Sequence, residues 1–289
     1  MKFKINYFVL LIAMAVFFTA CNNADNQEKE NVDLKIVSLN GTISEIVCEI
    51  GLQDNIVGVD VTSTYPENLT QLPSIGHVRN LSAEGIISLF PTEVLGLKSE
   101  IKPDLVQQLE NAGVKVTLFE LNHSLQGAQD LISDISKHYN IDNEKVKELK
   151  ENISTQIQSI ESYPFVPKVL FIYARGGGNL MVAGKKTSVD KVLEIAQAEN
   201  AITDFNDFKP LTPEALIKAN PDVILMFDKG IESIEGMEGL LKVPGIAETK
   251  AGKNKKLITM DGQLLTGFSP RLGLAVKELN QKLNQAISE

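Results

Sequence analysis

The side chains able to do chemistry are few and scattered. Histidine occurs three times, at His77, His123 and His138, and cysteine twice, at Cys21 and Cys48. No histidine pair stands at the helical spacing of metal ligands, and no cysteine cluster offers a zinc site. A G-x-S-x-G nucleophile elbow is absent. The 37 acidic residues contain no spacing that marks a catalytic pair. A Gly-rich turn, Gly176-Gly177-Gly178, follows an apolar run and invites a phosphate-loop reading. That reading fails twice. Counting back from Gly184-Lys185 puts Asn179 where the first glycine must stand, and Lys186 occupies the Ser/Thr position. The dinucleotide pattern fails as well, because Met181 stands where its third glycine belongs. His138 follows Lys137 at a polar helix end and reads as solvated. His123 lies in a loop without an assignable role. His77, within Ile75-Gly76-His77-Val78-Arg79, is the histidine nearest a plausible site.

These residues sit in a chain of ordinary globular composition, 289 residues with 43% hydrophobic and 22% charged side chains. The length favours two domains. A net charge of −9, no tryptophan and 6% aromatic residues argue against nucleic acid as a partner, since phosphate contacts need a basic face and base stacking needs aromatic platforms. The chain opens with Lys2 and Lys4, then an apolar run from Tyr7 to Phe18, too short to span a bilayer. Thr19-Ala20-Cys21 closes it with small residues. This is a secretory signal pattern, and Phe18-Thr19-Ala20-Cys21 is similar to the bacterial lipobox, in which the cysteine is lipidated and becomes the first residue. Residues 1–20 are then the lipoprotein signal peptide and residues 21–33 a polar, flexible tether. Cleavage removes Lys2 and Lys4 and no acid, taking the net charge from −9 to −11. With Cys21 lipidated, Cys48 has no disulfide partner. It lies on an apolar helical face and reads as a small buried hydrophobe.

The remainder reads as two α/β lobes. Lys35–Leu39, a capped helix reaching Gly51, and Asn55–Asp60 form a strand–helix–strand unit that argues for a parallel sheet. The segment from Leu81 to Leu95 recurs from Leu211 to Leu225 at a constant offset of 130 residues, with Leu, Glu, Ile, Pro and Leu matched. In each copy a Ser or Thr two residues before the Glu caps a helix, a Pro stops it and an apolar strand follows. Between the lobes, Val146, Leu149, Ile153, Ile157 and Ile160 recur at helical spacing. The spacing predicts one connecting helix of about twenty residues, roughly 30 Å long. The expected boundaries are an N-terminal lobe at 34–140, a connecting helix at 141–163 and a C-terminal lobe at 164–289, with a ligand cleft between the lobes.

Several stretches then belong together: Gly58 to Pro66, Ile75 to Glu84, Met181 to Gly184, Phe208 to Leu216, Pro221 to Leu225 and Met260 to Arg271. Across essentially all of residues 34–289 the sequence resembles the haemin-binding periplasmic proteins of bacterial ABC importers. These fall within the wider substrate-binding family that also serves cobalamin and ferric siderophores. The haem-specific likeness rests on Thr62-Ser63-Thr64-Tyr65-Pro66, Met181-Val182-Ala183-Gly184 and Gly267-Phe268-Ser269-Pro270-Arg271.

The resemblance implies two Rossmann-like lobes joined by a single long helix, no enzymatic activity, and Tyr65 as the axial ligand of a haem iron. A phenolate oxygen suits the hard ferric ion, and a nearby cation favours the ionised phenol. Arg79 is the candidate for that cation. Arg175 and Lys98 are candidates for the haem propionates, Phe268 for packing on the porphyrin face, and His77 for a further imidazole contact. In some relatives a histidine near the start of the second lobe supplies another ligand; here that stretch is Tyr173-Ala174-Arg175-Gly176, without histidine. Glu84 and Glu214, the repeated acids, correspond to residues that dock on arginines of the permease. The implied protein is an exported monomer anchored by lipid on Cys21. It captures haem as cargo and delivers it to an ABC importer permease dimer with its ATPase. A ferric siderophore or cobalamin binder of the same fold is the alternative, and a secreted hydrolase or lyase the alternative of another class.

Overall fold

A computed structural model describes residues 33–141, 143–176 and 180–288. The signal segment, most of the tether and Cys21 lie outside the described residues, as do Gly177 and Gly178 of the Gly-rich turn. The first lobe runs β1 (Ile36–Ser38), α1 (Gly41–Glu49), β2 (Ile56–Val59), α2 (Ala83–Ile87), β3 (Glu93–Leu97), α3 (Pro103–Asn111), β4 (Lys115–Phe119) and α4 (Leu125–His138). Its four strands pair in the order β2-β1-β3-β4, all parallel. Then comes α5 (Glu144–Gln158). The second lobe runs β5 (Lys168–Tyr173), β6 (Met181–Ala183), α6 (Ser188–Ile195), β7 (Glu199–Asn200), β8 (Phe208–Pro210), α7 (Pro213–Ala219), β9 (Val223–Phe227) and α8 (Asp228–Glu232). It ends with α9 (Gly236–Leu241), α10 (Lys250–Lys253), β10 (Leu257–Met260), α11 (Gly262–Thr266) and α12 (Leu272–Ser288). Its sheet has the order β10-β9-β5-β6-β8, with β10, β9 and β5 parallel and β6 antiparallel to both neighbours.

The central strands are apolar throughout because helices cover both faces of each sheet. Val169, Leu170, Phe171 and Ile172 are fully buried, as are Val94 and Leu95. One hydrophobic core runs through both lobes, from Ile36, Ile43 and Ile46 to Val169, Leu265 and Leu279. That continuity makes Leu34–Glu289 one compact unit.

The repeat is structural to the residue. Ser82 caps α2 and Thr212 caps α7. Phe90 and Asn220, 130 residues apart, both take positive φ (51° and 39°) between the helix and the strand that follows. Strands β3 and β9 are offset by 130 at both ends. Even the strand starts correspond, for the Lys35 N–H donates to Thr92 Oγ1 at 2.9 Å and the Lys168 N–H to Asp222 Oδ2 at 3.0 Å.

The connecting helix is 15 residues long, about 22 Å, shorter than the expected twenty. Asn143 sets its start by accepting from the Val146 N–H, and Ile160, which continues the apolar spacing, lies beyond the last helical turn. Helix α12 packs along it. At Gly273 a Cβ would meet Gln156 Oε1 at 2.7 Å and the Ile153 carbonyl at 2.8 Å, so glycine permits the close crossing. The buried Asn280 amide then grips the chain after α5, accepting from the Glu161 N–H at 2.9 Å and donating to its carbonyl at 2.8 Å.

Candidate ligand cleft

The carboxyl ends of the parallel strands are where an open α/β sheet builds a ligand crevice. Loops following β2, β5, β9 and β10 meet there around a cavity of 670 Å³, lined among others by Thr62, Thr64 and His77 from the first lobe and Tyr173, Arg175, Phe227, Lys229 and Gln263 from the second. This volume suits a small organic ligand. The exposed cations Arg175 and Lys229 share the walls with Asp228, Glu232 and Asp261. Tyr173 and Phe227 meet edge to face at 6.0 Å, and the Arg175 guanidinium lies 5.6 Å from the Tyr173 ring centre.

The loop from Asp60 to Tyr65 is shaped from its start. Asp60, 2% exposed, accepts from the Thr62 N–H (3.1 Å), the Thr62 hydroxyl (2.7 Å) and the Ser63 hydroxyl (2.8 Å). Burial raises its pKa against those hydrogen bonds. The Ser63 and Ser44 hydroxyls lie 2.7 Å apart, tying the loop to α1, and Thr62 Oγ1 accepts from the Gly41 N–H at 2.9 Å. Tyr65 follows at the rim, 39% exposed and outside the lining of the cavity, which its neighbour Thr64 reaches.

The cation beside Tyr65 comes from the other lobe. Arg271 lays its guanidinium carbon 3.6 Å from the Tyr65 ring centre, a cation–π stack. The same guanidinium makes a two-pronged bond to Glu45 of α1, Nε to Oε1 at 3.0 Å and Nη2 to Oε2 at 2.9 Å. Glu45 is fully buried and also accepts from the Ser269 hydroxyl at 2.8 Å. Burial raises its pKa, opposed by the hydrogen bonds and charge of Arg271 and by Ser269. Gln263 completes the seam. Its Oε1 accepts from the N–H and the hydroxyl of Thr64 at 2.9 and 2.8 Å, and its Nε2 donates to the Gly41 carbonyl at 2.9 Å.

The structure therefore moves several sequence-derived assignments. Arg79, expected beside Tyr65, is outside the cleft lining and lines an adjoining pocket of 390 Å³ with Asn40, Asp60 and Glu100, which shares Thr62 and His77 with the cleft. Arg271 stands in the expected place because the end of the second lobe folds back across α1. Lys98 is outside the cleft lining and pairs with Glu120 at 3.0 Å on the open surface. Phe268 offers no face to a ligand. It is 1% exposed, with φ 51° turning it inward against His123 at 4.9 Å between ring centres. Burial lowers the His123 pKa. His77 does line the cleft, and its Nδ1 accepts from the Arg79 N–H at 3.2 Å. His138 is not solvated but bonds the buried Glu93 at 2.8 Å, together with Lys115, Thr117 and Tyr139. Glu84 and Glu214 are exposed in the first turns of α2 and α7. Glu45, Gln263 and Arg271 escaped the sequence reading as site residues, although Gln263 and Arg271 fall inside a stretch that bore the family likeness.

Among the described residues no group of three or more His, Cys, Asp or Glu could hold a metal ion, and no helix is long and apolar enough to cross a membrane. The family model described as "Periplasmic binding protein" matches residues 36–264. Among solved structures, the periplasmic heme-binding protein RhuT from Roseiflexus sp. RS-1, in its apo form, is 39% identical with a TM-score of 0.83, covering 88% of this chain and 99% of its own. Among curated relatives, the ABC transporter substrate-binding lipoprotein YvrC of Bacillus subtilis is 28% identical over 285 residues, 93% of this chain and 86% of its own. A vitamin B12-binding protein of Photorhabdus laumondii is 24% identical, covering 87% and 88% respectively. With two α/β lobes, a cleft at the strand ends and a match over most of its length, the chain belongs to the periplasmic binding protein family, the non-enzymatic solute-binding components of ABC transport.

Proposed function

We propose that the protein captures haem in the interlobe cleft, with Tyr65 as the iron ligand, and delivers it to an ABC importer permease. The observation that carries this reading is the half-exposed Tyr65 phenol at the cleft rim beneath the Arg271 guanidinium. A half-exposed phenol at the rim is open to an iron entering the cleft, and a phenolate oxygen is a good axial ligand for ferric haem. The likeness to RhuT, a heme-binding protein, supports the same ligand. Arg175 and Lys229 are the cleft cations available to the propionates. Lipid on Cys21 would anchor the exported protein to a bacterial membrane, on the periplasmic side or at the cell surface. Glu84 and Glu214, exposed at matching places of the repeat, would meet arginines of the permease.

A haemin titration of residues 22–289, followed by absorbance, tests the reading. The expected result is a saturable ferric phenolate spectrum that Tyr65→Phe abolishes. A saturable spectrum unchanged in Tyr65→Phe removes Tyr65 as ligand, and no saturable change removes haem. Cobalamin is the second reading, because curated relatives include vitamin B12-binding proteins. A parallel cyanocobalamin titration decides between them.

A further inference from the structure

Tyr65 belongs to the first lobe, yet the contacts that fix it come from the second. Upstream, Asp60 to Ser63 are held by their own lobe. Downstream, the Pro66 carbonyl begins the next turn by accepting from the Leu69 N–H. Between these anchors the Thr64 hydroxyl bonds to Gln263, the Thr64 N–H is shared between the Thr62 carbonyl and Gln263, and the Tyr65 ring lies on Arg271. Gln263 spends its carboxamide wholly across the seam. Both acceptor positions of Oε1 go to Thr64, one N–H goes to the Gly41 carbonyl, and Nε2 lies 3.5 Å from Glu45 Oε2. The approach is close enough that a Cβ on Gly41 would stand 3.0 Å from Gln263 Nε2 and 2.5 Å from the Thr62 carbonyl oxygen. Gln263 also lines the cavity, so the bond to Thr64 stands at the wall that a ligand touches.

We propose that Gln263 is a positioning residue for Tyr65, making the placement of the phenol conditional on the second lobe being seated. On the haem reading, on which this rests, separating the lobes removes the support of the iron ligand in the same movement that opens the cleft. Cargo release then requires no separate attack on an intact, well-placed phenolate bond.

The test uses residues 22–289 carrying 3-fluorotyrosine, with the Tyr65 ¹⁹F resonance assigned by its loss in Tyr65→Phe. Gln263→Ala should shift or broaden that line in the ligand-free protein. Thr64→Val should do so partly, and Thr64→Ser, which retains the hydroxyl, should restore it. In the haemin complex, Gln263→Ala should weaken the phenolate-to-iron band and speed haemin release about tenfold, as expected for loss of the two hydrogen bonds that hold Thr64. An unchanged ¹⁹F line in Gln263→Ala overturns the proposal, whatever the melting temperature does. A moved line with an unchanged release rate overturns the link to release. If the wild type binds no haemin, the haem reading fails, and the ¹⁹F comparison still decides the role of Gln263.

Discussion

Arg271→Met keeps the length of the side chain, deletes its charge and leaves Glu45 without its principal partner. The carboxylate is fully buried and would retain the Ser269 hydroxyl at 2.8 Å and the distant Gln263 amide at 3.5 Å. Removing one member of a buried pair costs about 3–5 kcal/mol, since the other charge stays out of water uncompensated. Loss of the stack on Tyr65 adds about 0.5–1 kcal/mol. The cost depends on pH with a definite sign. Burial already raises the folded-state pKa of Glu45, and removal of Arg271 takes away the main force that lowers it. A carboxyl raised in the folded state is stabilising below its unfolded pKa, about 4.3, and that stability is lost as pH rises through the folded value. The deficit against wild type should therefore be full at pH 8 and smaller at pH 5, where the isolated Glu45 is free to protonate. Urea unfolding followed by far-UV circular dichroism measures both, and at pH 8 the melting temperature should fall by about 10 °C. Glu45→Met with Arg271→Met, which replaces the pair by apolar groups, should recover most of the loss. A deficit below about 1 kcal/mol at pH 8, or an equal deficit at both pH values, refutes the reasoning.

Glu84→Ala combined with Glu214→Ala should leave the haemin titration unchanged and lower uptake by cells carrying the importer; normal uptake would remove both residues from docking. At the opposite end of the first lobe, burial raises the Glu93 carboxyl, but hydrogen bonds from Thr117, Lys115 and His138 outweigh it and hold the pKa below normal. That stability is present above about pH 4.3 and lost as pH falls through the folded value. Melts between pH 5 and 3 should therefore fall more steeply in wild type than in Glu93→Gln. Cys48 is half-buried, and burial, with Glu49 and Glu45 nearby, pushes its thiol up to about 12. Alkylation of the folded 22–289 protein at pH 8 should be at least about a hundredfold slower than of the urea-unfolded chain.

Much of the scaffold was legible because it repeats or alternates by simple rules. The offset of 130 residues located two capped helices and two buried strands, since a Ser or Thr cap, a Glu and a Pro each leave a local mark. Tyr65 was singled out by its loop sequence, and that loop does reach the cleft through Thr64. Arg271 against the Tyr65 ring and the Glu45 that holds Arg271 were not, because these two are 226 residues apart and meet only in the folded chain. Phe268 misled by type, an aromatic suited to a porphyrin whose backbone turns it into the core. His138 misled by setting, for a polar helix end gives no sign of the carboxylate on the neighbouring strand. The connecting helix came out too long because the apolar spacing runs on to Ile160, past the point where the chain leaves the helix to meet Asn280.

The seam also fixes an order of events. Glu45 lies on the first helix after the first strand, and its partner lies at the start of the last helix, so the bond closes a loop that contains nearly the whole folded unit. Contacts of such sequence separation form late, after local structure has been assembled. A chain made or threaded from its N-terminus thus carries a finished sheet with Tyr65 beside it and no working site. Maturation of the cleft waits for the segment that carries Ser269 and Arg271, and a chain interrupted before it leaves Glu45 without either partner, a state open to chaperones and proteases.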